Sequence, residues 1–146
     1  MSTESLPTGP DRDALIRPIR ETWPHAVVAT IEGASSFSLD DKHWPNFATV
    51  VWTDEHDEGA PSNLARPGVY RLNIGVGKET FQRLVGDIRE PDYAAFDQVL
   101  PHPVYASQRW IAILNPSHGT VRETVLPLLT EAQDRLAQRP MRARTT

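Results

Sequence analysis

Apolar positions along the chain recur at two spacings, and the switches between them outline the elements. Leu15, Ile16 and Ile19 share one side of a helix that starts behind the acidic residues Asp11 and Asp13 and ends at Pro24, with a bend at Pro18. The β-branched run 26–31 (AVVATI), a Glu32-Gly33 turn and residues 35–38 (SSFS) read as a hairpin. Residues 46–53 (NFATVVWT) alternate Phe47, Thr49, Val51 and Thr53 with Ala48, Val50 and Trp52; both faces carry bulk, which predicts a strand at the centre of a sheet. In residues 69–74 (VYRLNI) the division is unequal: Tyr70, Leu72 and Ile74 make a core-like side, while Val69, Arg71 and Asn73 share the other. Phe81, Leu84 and Val85 return to helical spacing over 78–85, closed by Gly86. Residues 109–114 (RWIAIL) form the last strand. Val121, Val125, Leu128, Leu129 and Leu136 stripe a C-terminal helix that Ser117 caps and Pro127 kinks.

Between these elements, residues 54–66 (DEHDEGAPSNLAR) are a loop by composition. Residues 87–107 carry Pro91, Pro101 and Pro103; a structureless segment of that size is uncommon, so a short helical turn over 93–99 or a functional role is expected. The element order predicts an α+β fold, a single mostly antiparallel sheet with helices packed on one face. The second face is then left open to solvent, to a second copy in a homodimer, or to a ligand. Residues 1–10 read as a disordered lead, 11–137 as one domain and 138–146 as a flexible polar tail.

Composition narrows the function classes. With 39% hydrophobic and 23% charged residues among 146, the chain has an ordinary globular make-up. The absence of cysteine excludes disulfides, thiolate metal sites and a Cys nucleophile. Fifteen Lys and Arg against nineteen Asp and Glu give a charge of −4, the wrong sign for neutralising nucleic-acid phosphates. No apolar run approaches the roughly 20 residues of a membrane helix, and the polar start lacks a signal peptide's apolar segment, so a cytoplasmic location with no membrane partner is expected.

Four stretches carry a resemblance: FATVV at 47–51, RPGVYRLNIGVGKETF at 66–81, HPVY at 102–105 and RWIAILNP at 109–116. They resemble a small bacterial family known only as a domain of unknown function and, more distantly, the YjbR-like (MmcQ/YjbR) proteins, in which an Arg-Leu-Asn strand precedes a helix. The resemblance spans residues 47–136 and implies a YjbR-like fold, sometimes called double-wing. It implies no reaction, cofactor or catalytic residue. DNA binding has been suggested for YjbR-like folds, yet this chain is net acidic and its only lysines are Lys42 and Lys78.

The residues themselves offer several candidate sites. Arg71 and Asn73 emerge from one strand face, where a guanidinium fork and an amide can grip a carboxylate or phosphate. Alternatively, Arg71 pairs with Glu55 or Asp57 and Asn73 caps the turn into the next helix. His102 and Tyr105 stand on a proline-stiffened loop ahead of Trp110. If that loop folds over the open face, His102 can serve as acid or base, Tyr105 as donor and Trp110 as an apolar wall; otherwise both rings pack the loop down with backbone partners. Residues 54–58 with His43 supply metal-ligand types, but neighbours on an extended loop point in alternating directions, so a solvated acidic loop and no metal are expected. Gly75-Val76-Gly77-Lys78 fails both nucleotide-loop patterns, leaving turn glycines and a helix N-terminus able to hold an anion weakly. No G-x-S-x-G elbow occurs, and His43-Trp44-Pro45 offers a ring for partner contact. The first expectation is therefore a small-molecule-binding domain for an anionic or aromatic compound, using Arg71, Asn73 and Trp110 and no cofactor. The alternatives are a cofactor-independent enzyme using His102 and Tyr105, and a homodimeric interaction module.

Overall fold

The computed structural model describes residues 8–23, 27–38, 46–56 and 59–144. Helix α1 (Arg12–Thr22) begins behind Asp11, whose carboxylate accepts the Ala14 N–H at 2.8 Å, and it buries Leu15 and Ile19 as their spacing requires. The hairpin of β1 (Val27–Ile31) and β2 (Ala34–Ser38) turns through Glu32 and Gly33, with φ of 43° and 80°. Both lie in the left-handed region that the commonest two-residue hairpin turn demands. Strand β3 (Asn46–Val51) follows, then β4 (Arg71–Gly75), α2 (Lys78–Val85), the short β5 (Leu100–Pro101) and β6 (Trp110–Leu114).

The six strands lie in the order β1-β2-β3-β4-β6-β5, each antiparallel to its neighbours, so β6 returns between β4 and the edge strand β5. The fold is α+β with an antiparallel sheet, as the element order implied. Leu72 and Ile74 of β4, Ala48 and Val50 of β3, and Ile111 and Ile113 of β6 face one way. They pack against Leu15 and Ile19 of α1 and Leu128, Leu129 and Ala132 of the C-terminal helix. That helix opens as α3 (His118–Thr120), passes through a π-helical turn over Val121–Val125 and continues as α4 (Leu126–Arg144). Ser117 caps it, accepting the Thr120 N–H at 3.2 Å. The wider turn ahead of Pro127 accommodates a residue that has no N–H to give and whose ring crowds the carbonyl four residues back. No helix among the described residues is long and apolar enough to cross a membrane.

The second sheet face corrects the expectation of an open surface. Val51, Leu114, Leu64 and Val69 form a second apolar cluster there, with Ala34 and Phe96 packed against it. The loops between β3 and β4 and between α2 and β6 supply this cover. The Asp54 carboxylate, expected in a solvated loop, instead accepts the Leu64 N–H at 2.8 Å and the Ala65 N–H at 3.3 Å. On the other side, Phe96 bridges to Leu114, and the Asp97 N–H donates to the Leu114 carbonyl. As a result Arg71, Leu72, Asn73 and Ile74 are all buried, and β4 is interior on both sides.

Candidate functional site

Alternation along β4 places Arg71 and Asn73 on the second face, and pairing in register brings Thr49 of β3 beside Asn73. Arg71 is 1% exposed. Its Nε donates to Asn73 Oδ1 at 2.8 Å and its Nη1 to Ser62 Oγ at 3.0 Å. The Asn73 amide nitrogen in turn donates to Thr49 Oγ1 at 2.9 Å. Asn73 therefore orients the guanidinium and does not cap the turn into α2, the alternative its position had allowed. Of the two carboxylates considered as partners for Arg71, Glu55 is exposed and Asp57 lies outside the described residues.

His102 joins this cluster from 31 residues away, its Nε2 standing 3.5 Å from Arg71 Nη2. The backbone fixes its ring: the His102 N–H donates to the Trp110 carbonyl, while Nδ1 accepts the Val104 and Tyr105 N–H groups, each at 3.0 Å. Two amide donors on Nδ1 occupy its lone pair, so the ring hydrogen sits on Nε2 and faces the guanidinium. Two N–H donors from distant segments thus converge at one buried point.

Tyr105 and Trp110 border the cluster differently. The Tyr105 ring lies 5.1 Å from the His102 ring, tilted by 45°, and the residue is 49% exposed, so it marks the way out to solvent. Trp110 pairs with Gly75 across β4 and β6, and a Cβ at position 75 would stand 3.2 Å from the indole. Glycine there is what lets the ring lie across the strand. The structure therefore groups Arg71, Asn73 and His102 directly, sets Tyr105 against His102, and puts Trp110 farther along the same sheet face.

Sequence reasoning missed Ser62, Thr49 and Arg66. Ser62 reads as one more turn residue, yet it is fully buried. Thr49 was legible as strand, but its bond to Asn73 depends on the register between strands 24 residues apart. Arg66 Nη2 donates to the Ser62 and Ala94 carbonyls at 3.1 and 3.0 Å, and its guanidinium lies 4.5 Å from the Phe96 ring centre, tying the two covering loops together.

The remaining candidates resolve otherwise. Glu131 of α4 already serves the α2 N-terminus: its carboxylate accepts the Gly77 N–H at 3.1 Å and the Thr80 hydroxyl at 2.8 Å. The anion expected there is thus the chain's own. No group of three or more His, Asp or Glu gathers as metal donors among the described residues. His43, Trp44 and Pro45 lie outside them, as do Asp57 and Glu58. Tyr70, buried beneath α1, donates its hydroxyl to the Pro10 carbonyl at 2.8 Å. Burial, and secondarily the Asp11 charge, push its ionisation well above the ordinary phenol range.

A model for a family of unknown function, DUF6194, matches residues 10–145. No curated protein and no solved structure matches the chain. A domain of unknown function was the nearer of the two resemblances drawn from the sequence; nothing in the comparisons links the chain to YjbR-like proteins.

Proposed function

The chain belongs to DUF6194, a family of unknown function, and we propose from its own geometry that it binds an anionic small molecule at the Arg71–His102 cluster. The observation that carries this reading is the approach of Arg71 Nη2 and His102 Nε2–H to 3.5 Å, two donors suited to one shared oxygen. Asn73 on the same strand and Ser62 from the preceding loop accept from the guanidinium, and Thr49 in turn holds Asn73, so the fork is positioned before a ligand arrives. Tyr105 stands at the solvent side with a hydroxyl to offer and an aromatic face beside the imidazole.

The same tautomer weighs against His102 as a general base. A general base needs an available lone pair; Nδ1 spends its own on two amides, and Nε2 carries the hydrogen.

A thermal-shift screen of carboxylates and phosphorylated metabolites tests it. A ligand at about 100 times its dissociation constant adds about 2.7 kcal/mol of stability. The shift is expected to vanish in Arg71→Lys, which keeps the charge and loses the fork, and to shrink in Tyr105→Phe, an exposed change that spares the fold. No stabilising anion, or one that binds both variants as well as wild type, overturns the proposal.

A further inference from the structure

A concavity lies at the end of the sheet where β4 turns towards α2, beside the 3-10 turn at Ala106–Gln108 that precedes β6. Its volume is about 420 Å³, and its polar lining comes from Asn46 of β3, Ser107, Gln108 and Arg109 of the turn, and Arg135 of α4, with Trp110 as its aromatic wall.

Three observations single it out. First, among the described residues the lining includes two arginines and no carboxylate, in a chain whose acidic residues outnumber its basic ones nineteen to fifteen. Among the described residues neither the Arg109 nor the Arg135 guanidinium makes an ion pair or side-chain hydrogen bond. The carboxylate one helical turn before Arg135, on Glu131, is committed to Gly77 and Thr80. Second, Asn46 Oδ1 is buried with no hydrogen-bond partner among the described residues, although the buried polar side chains of the Arg71 cluster are bonded. A desolvated acceptor beside a cavity calls for a donor from whatever fills it. Third, Arg109 holds a left-handed backbone at φ 65°, uncommon for a residue with a side chain. It is fixed there from both sides: its N–H donates to the Ala106 carbonyl at 2.9 Å, and its carbonyl accepts the Val76 N–H at 3.0 Å. Strain retained under such constraint is a mark of positions kept for what they present.

We propose that this cavity is a binding site for a planar carboxylate that also carries an N–H or O–H donor. Arg109 and Arg135 take the carboxylate, Asn46 Oδ1 accepts from the donor, and the flat ring rests against Trp110. Each assignment follows from chemistry: guanidinium groups suit carboxylates, an amide oxygen can only accept, and indole favours flat partners. The cavity lining includes neither Arg71 nor His102, so the site is distinct from their cluster.

Calorimetric titration of the full chain with 4-hydroxybenzoate, with benzoate in parallel, provides the test. The hydroxylated acid is expected to bind and benzoate to bind more weakly. Arg135→Gln, on an exposed helical position, and Arg109→Asn, which tolerates the left-handed backbone, are each expected to weaken 4-hydroxybenzoate about tenfold, or about 1.4 kcal/mol. Asn46→Ala is expected to abolish the preference over benzoate. Absence of binding up to roughly 10 mM, or affinity unchanged in both arginine variants, overturns the assignment.

Discussion

Tyr70 and Arg71 are chain neighbours, one just ahead of β4 and one at its start, with opposite surroundings. The Tyr70 ring is buried on the helix side, and its hydroxyl reaches the Pro10 carbonyl. The native chain holds the phenol proton after the unfolded chain has begun to release it at the ordinary pKa of 10.0. Unfolding above that pH therefore releases a proton, and the stability present below it is lost as pH rises. Urea midpoints are expected to fall above about pH 10 more steeply for wild type than for Tyr70→Phe, which has nothing to ionise; parallel slopes would show that the phenol plays no part. Arg71 faces the covered side, where alternation alone made its company with Asn73 legible. His102 and Ser62 were not legible as its partners, because no local pattern reports a contact between segments 31 or nine residues apart. The imidazole's tautomer was equally hidden, since it follows from two backbone N–H groups that meet Nδ1 only when residues 102–105 fold back.

Elements with strong periodicity appeared where the sequence put them. Helix α2 runs over Lys78–Val85 as Phe81, Leu84 and Val85 required, and α1 starts behind its acidic cap. Strand β4 is shifted, running Arg71–Gly75, because Tyr70 leaves the ladder to pair through Asn115: the Tyr70 N–H donates to Asn115 Oδ1 at 3.1 Å. Strand β5 left no trace, since Leu100–Pro101 is too short for alternation to register. What closes α2 was also beyond local reading. Gly77 offers no side-chain cap, and Glu131, 54 residues later, supplies the carboxylate instead. Replacing it with alanine removes two acceptor bonds and a negative charge at the positive end of a helix. Glu131→Ala is expected to cost about 1 to 2 kcal/mol by urea denaturation, with Glu131→Gln losing less because it can still accept. Equal losses would mean that charge, and not capping, is the larger contribution.

On the scale of the whole molecule, the sheet has two unlike covers. Helices α1 and α4 bury one face with a contiguous apolar core, whereas loops bury the other through a smaller cluster and scattered polar bonds. The sequence foretold the first because helical stripes announce where they pack; it left the second face open because loop cover has no period. That asymmetry bears on any ligand of Arg71, since a side chain 1% exposed is reached only when the loops part. Arg66 is the tie between them, donating to Ser62 and Ala94 and lying against Phe96. Arg66→Gln is therefore expected to loosen the loop cover locally while the helix-backed core holds. Hydrogen exchange at the Asn63, Leu64, Ala95 and Asp97 amides, all bonded in the closed state, should accelerate about tenfold or more, with the β3 and β4 amides unchanged. Uniform acceleration would instead place the effect in global stability. If the loops gate the cluster, the open state becomes more populated and an anion that stabilises wild type should associate faster with the variant, because apparent affinity scales with the competent fraction. Faster exchange without faster association would separate the motion of these loops from access to Arg71.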